Sequence, residues 1–88
     1  MNKKLVFKNQ LGDVRYVVLA QEKDYTPQLE EVFAISKGYG FSVDMTEKAI
    51  LIKDYFAGET RAKFEIISFE DCELPVNLNQ TSVEEFLS

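Results

Sequence analysis

The chain's single cysteine, Cys72, stands in the run Ser68-Phe-Glu-Asp-Cys-Glu-Leu-Pro-Val-Asn77, among Glu70, Asp71 and Glu73 and with no basic residue beside it. A thiol and three carboxylates are the residue types of a nucleophilic or metal site. Reactive cysteines sit beside cations or at a helix N-terminus, and the neighbours of Cys72 are acids. As metal ligands the carboxylates are badly spaced, because in an extended chain Glu70 points away from Asp71 and Glu73, and no Asp-x-Asp-x-Asp-Gly loop is present. The remaining reading is an acidic surface, of which Glu84 and Glu85 further on would form a part.

The rest of the inventory narrows the chemistry. The chain has no His, so the side chain that titrates unaided near neutrality, and the commonest metal ligand, is missing. One Cys excludes an intrachain disulfide and any zinc site built on paired cysteines. There is no P-loop and no Gly-x-Ser-x-Gly motif, and Gly38-x-Gly40 follows a helix-like segment where a dinucleotide loop would open one. The expectation is a protein that is not an enzyme, with no metal and no cofactor.

Charge is distributed unevenly. The net charge is −5, but all ten Lys and Arg precede Phe64, and the last part of the chain holds Glu65, Glu70, Asp71, Glu73, Glu84 and Glu85 with no base. The amino end, with Lys3, Lys4, Lys8 and Arg15, is locally basic. Carboxylates spaced along a strand and loop can imitate phosphates. The expected partner is therefore a protein with a basic surface, such as a nuclease, a toxin or a nucleic-acid-binding protein, and the expected role is that of an inhibitor or antidote of immunity or anti-defence type. Glu70, Asp71, Glu73, Glu84 and Glu85 are the interface candidates. Tyr55 and Phe56 would be anchors if exposed, since aromatic residues tend to dominate interfaces.

A second pattern is Lys37-Gly-Tyr-Gly-Phe41, which resembles the opening of the RNP1 signature of RNA-recognition motifs; Leu5-Val-Phe-Lys-Asn9 loosely echoes its companion RNP2 strand. The resemblance implies single-stranded RNA bound by Lys37, Tyr39 and Phe41 on a sheet. Ser42, Val43 and Asp44 depart from the signature, and the negative charge opposes phosphate binding. A third class is a structural subunit or homodimer that completes a sheet through an edge strand.

These residues must be positioned by one domain, residues 1–88, because single domains run to about 100–150 residues. With 45% hydrophobic residues the chain has enough apolar surface to form a core. Lys4–Lys8 and Val14–Ala20 flank turn chemistry at Asn9–Asp13, which predicts an N-terminal β-hairpin. The second of these strands is apolar on both faces and is expected at the centre of a sheet. Thr26-Pro27 opens a helix over residues 27–37, with Thr26 as cap, acids in the first turn and Gly38 closing it. Residues 41–56 allow a helix or two strands about a turn at 45–48, and Ile50-Leu-Ile52 favours strands. Residues 60–69 alternate as a strand, and Ser82 with Glu85 predicts a short C-terminal helical turn. The expected fold is α+β: an antiparallel sheet of four to five strands with one helix on a face. The chain holds no run of about 18 apolar residues that could span a membrane, and a soluble cytoplasmic protein is expected.

Overall fold

The computed structural model describes residues 1–35 and 40–78. The order of elements is β1 (Asn2–Lys8), β2 (Val14–Leu19), α1 (Thr26–Val32), β3 (Phe41–Met45), β4 (Ala49–Asp54) and β5 (Thr60–Cys72). The strands form one antiparallel sheet in the order β2-β1-β5-β4-β3. The expected α+β class, the N-terminal hairpin and the strand reading of residues 41–56 agree with this sheet. The expected C-terminal helical turn lies outside the described residues.

Each turn has a local cause. In the β1–β2 hairpin, Asn9 Oδ1 accepts the amides of Leu11 and Asp13, and Gly12 takes φ +88°, a conformation that favours glycine. Between β3 and β4, Thr46 Oγ1 accepts the Ala49 amide at 3.0 Å, closing the loop with a hydroxyl. Strand β5 is long enough to serve two partners: residues 60–65 pair with β4 and residues 65–72 with β1, with a register shift opposite Val6 and Phe7. It is the strand that joins the hairpin to the rest of the sheet.

Alternation places Leu5, Phe7, Val17, Leu19, Phe64, Ala62, Ile50, Ile52 and Val43 on one face, where they are buried under Leu29, Val32, Phe33 and Ile35 of α1 and its exit. Phe33 stacks on Phe64 with ring centroids 5.1 Å apart, and Phe7 tilts against both rings. Three aromatic side chains from β1, β5 and the helix end thus meet where the sheet and helix layers close.

Two expectations are corrected. Strand β2 is an edge of the sheet, not its centre. On its second apolar face Val18 is only 1% exposed, because the chain after β5 crosses back and Asn77 bridges Val18 through two backbone hydrogen bonds, while Tyr16 on the same face stays half exposed. The helix is also shorter than expected, and Thr26 is not its cap. The cap position is Tyr25, the Thr26 amide is held instead by Asp24 Oδ1, and no acid stands in the first turn.

At its other end the helix stops at Val32 because Ala34 turns left-handed, at φ 53°. The Ala34 amide donates to Glu31 and the Ile35 amide to Glu30, which is the Schellman arrangement, and Ile35 drops into the core beside Leu29. An L-residue other than glycine is disfavoured there by about 1 kcal/mol or more, part of which glycine returns through its freer unfolded chain. Ala34→Gly is therefore expected to raise stability by about 0.5–1 kcal/mol, seen as a Tm a few degrees higher. A lower urea midpoint for the variant would contradict the left-handed stop.

Candidate functional site

The β4–β5 hairpin ends in the turn Asp54-Tyr-Phe-Ala-Gly-Glu-Thr60, and Asp54 organises it. Its Oδ1 accepts the amides of Phe56 and Ala57, each at 2.9 Å, and its Oδ2 accepts from the Arg61 guanidinium at 3.2 Å. The backbone closes around it: the Asp54 amide donates to Glu59, and the Gly58 amide donates to Asp54, with Gly58 at φ +71°. An aspartate that receives two amides and a guanidinium is an effective clamp on a loop.

That clamp presents Tyr55 and Phe56, which are 50% and 83% exposed. Their rings pack edge to face at 5.4 Å. Beneath them lies Gly40, at φ +81°, whose carbonyl accepts the Tyr55 amide at 2.7 Å. A β-carbon on Gly40 would come within 3.4 Å of the Phe56 ring, so the ring rests against bare backbone. Phe56 is thus a large apolar side chain held out to solvent by a structured turn.

The acidic candidates lie elsewhere and in a different environment. Strand β5 extends through Cys72, so Glu70 and Asp71 are strand residues facing β1. The register sets Lys3 opposite Asp71, Lys4 opposite Glu70 and Lys8 opposite Glu65. Lys3 Nζ reaches Asp71 Oδ1 at 3.0 Å and lies 4.9 Å from the centre of the Phe69 ring, while Lys4 Nζ lies 4.7 Å over Tyr16. The basic amino end and the acidic stretch are thus neighbouring strands, and their charges compensate locally. Glu73, just beyond β5, is exposed. Glu84 and Glu85 lie outside the described residues.

The two sets of interface candidates do not converge. A strand advances roughly 33 Å from Thr60 to Glu70, in a molecule whose longest dimension is 38 Å. Tyr55 and Phe56 are therefore at one end of β5 and Glu70, Asp71 and Glu73 at the other. Of the residues in the RNP1-like segment, Lys37 and Tyr39 lie outside the described residues. Phe41 packs against the core, on the face that α1 covers, which is not the side from which an exposed sheet would stack bases.

Cys72 is partly buried in β5 opposite Asn2. Among the described residues no three of Cys, Asp and Glu are grouped to hold a metal ion, and no helix is long and apolar enough to cross a membrane. Comparison with protein-family models, with curated proteins and with solved structures gives no match to this chain. Sequence reasoning missed Asp54 and Gly40, although an Asp four residues before Gly58 is the signal of such a clamped turn.

The Asp54 carboxyl is held below its ordinary value of 3.8, by the Ala57 amide first, then the Arg61 guanidinium and the Phe56 amide, against an opposing effect of burial. A depressed acid stabilises the fold fully above that ordinary value and loses the contribution as pH falls through the depressed one. In an NMR titration the Asp54 carboxyl is expected to protonate below 3.8, with the Phe56 and Ala57 amide shifts following the same curve. A midpoint at or above the ordinary value, or amides that ignore it, would contradict the clamp.

Proposed function

We propose that this chain is a small non-enzymatic protein-binding module whose β4–β5 tip is its docking element, with Phe56 as anchor and Tyr55 beside it. One observation carries this reading: an 83% exposed Phe on a turn that a buttressing carboxylate and a glycine platform hold in one shape. Binding hot spots are aromatic residues that enter a pocket of the partner. A prearranged turn reduces the ordering cost of using one.

A partner with a basic surface fits the chain's charge of −5, because opposite net charge speeds encounter over distances set by the ionic strength. Glu73 supports such steering directly. Glu70 and Asp71 support it less, since Lys4 and Lys3 stand across from them. Inhibition of a nuclease, a toxin or another nucleic-acid-binding protein is the role that this size and charge fit, by an analogy that no motif reinforces. In this reading the tip supplies affinity and the acidic residues supply rate and salt dependence.

The experiment is quantitative affinity capture from the native cell with three proteins: the wild type, Phe56→Ala, and a variant with Glu70→Gln, Asp71→Asn and Glu73→Gln. Phe56→Ala should fold normally, as exposed substitutions shift stability by about 0.5 kcal/mol or less. It is expected to weaken retention of a basic protein by roughly 30-fold, the effect of losing a hot spot of about 2 kcal/mol. The acid variant should retain that protein with a reduced sensitivity to salt. Equal retention by Phe56→Ala and the wild type would refute the tip as the docking element.

A further inference from the structure

The two edges of the sheet are treated differently. On β2 the outward backbone groups of Val18 are occupied by Asn77. On β3, among the described residues, no segment pairs with the outer side. The hydrogen bonds at its two ends define which groups are left. The Thr46 amide donates to Ala49 at 2.8 Å and the Tyr55 amide to Gly40 at 2.7 Å. Hydrogen-bonded pairs recur at every second residue of an antiparallel ladder, so Ser42 and Asp44 turn their peptide groups towards β4. Phe41, Val43 and Met45 therefore turn their N–H and C=O groups away from the sheet.

Exposed edges are commonly blunted by Pro, by Lys or by a bulge. Strand β3 reads Phe-Ser-Val-Asp-Met, pairs with β4 without a register shift, and has one charge, Asp44, which Lys53 meets at 3.6 Å. The pattern about Val43 is symmetric: apolar at 41, 43 and 45, polar at 42 and 44. A strand with such a pattern is complementary to itself when run antiparallel about its middle residue.

We infer that β3 is a self-association edge and that its occupant is the β3 strand of a second copy, paired antiparallel about a twofold axis at Val43. In that register Val43 faces its own copy, Phe41 faces Met45 and Ser42 faces Asp44. The outward peptide groups of residues 41, 43 and 45 satisfy one another, and Phe41 and Met45, which are partly buried at the rim of the core, are covered across the junction. No like charges stand directly opposite each other, and the Ser42 hydroxyl can donate to the Asp44 carboxylate. The two sheets become one continuous sheet of twice the strand number. A five-residue contact is small by the standard of stable interfaces, so the dimer is reversible and concentration-dependent. This inference is independent of the hairpin-tip reading, since it uses backbone groups that the tip does not.

The test is sedimentation equilibrium from micromolar to millimolar protein, with the wild type, Ser42→Glu and the double variant Ser42→Glu/Asp44→Lys. Ser42 lies opposite Lys53 on β4, so Ser42→Glu gives the monomer an acid facing that lysine while setting one new carboxylate against Asp44 of the other copy at each of the two equivalent contacts. Like charges opposite one another in a sheet disfavour pairing, and self-association should weaken about tenfold. The double variant replaces both repulsions by attractions and should restore it. Amide exchange at Val43 and Met45 should slow as the wild-type concentration rises. A wild type that stays monomeric throughout, whether its Val43 amide exchanges fast or is protected by another segment, would overturn the inference, as would a Ser42→Glu dimer of undiminished affinity.

Discussion

Strands β1 and β5 come from opposite ends of the described chain, and the hydrogen bonds between them join a two-stranded unit, β1–β2, to a three-stranded one, β3–β4–β5. Without that contact the aromatic core has no common floor, because Phe7 and Phe64 belong to the two different units and meet Phe33 only when they are side by side. The contact closes a loop of most of the chain, so its formation carries the largest entropic penalty in the fold. The residues along it are suited to overcome that penalty in one register. Leu5 pairs with Phe69 and Phe7 with Ile66, and three lysines stand opposite three carboxylates. A slip of one residue would turn Leu5 and Phe7 away from the core.

This arrangement changes what the chain's uneven charge means. Read along the sequence, a basic beginning and an acidic end suggest a molecule with two poles. Folded, the two stretches are adjacent strands, and much of the polarity is used inside the molecule to specify pairing. Two features stand apart from that compensation: the β4–β5 tip, where Asp54 holds Phe56 out, and the outer edge of β3, with which no described segment pairs. Both are features of the three-stranded unit, and both abut Gly40, which supports the Phe56 ring and precedes the edge strand.

Most of the local structure was legible in the sequence. The Asn9–Asp13 turn and the alternation of Ala62, Phe64 and Ile66 follow from short-range rules and are where the structure places them, whereas residues 41–56 allowed a helix as well as two strands, and the structure has the strands that Ile50-Leu-Ile52 favoured. The illegible parts were tertiary. Val18 looked like a central-strand residue because nothing near it in sequence reveals that Leu74–Asn77 returns to bury it. Ala34 gives no sign of a left-handed turn, so the helix was read too long. Strand β5 was expected to end at Phe69 because Glu70 and Asp71 have little intrinsic preference for a strand, and it continues because β1 supplies Lys4 and Lys3 opposite them. The candidate site divided in the same way: Tyr55 and Phe56 were identifiable as aromatics in a turn, whereas the compensation of the acidic residues required the topology.

The role of the charges in pairing β1 with β5 is tested most directly by a charge-exchange cycle across the open face of that pair. Stability would be measured by urea unfolding for the wild type, for Lys4→Glu/Lys8→Glu, for Glu65→Lys/Glu70→Lys, and for the protein carrying all four changes. If cross-strand pairing is what the charges serve, each double variant loses roughly 0.5–2 kcal/mol, and the fourfold variant recovers most of the combined loss. Additive losses, with the fourfold variant the least stable of all, would contradict it and return the acidic strand to the solvent and to a partner.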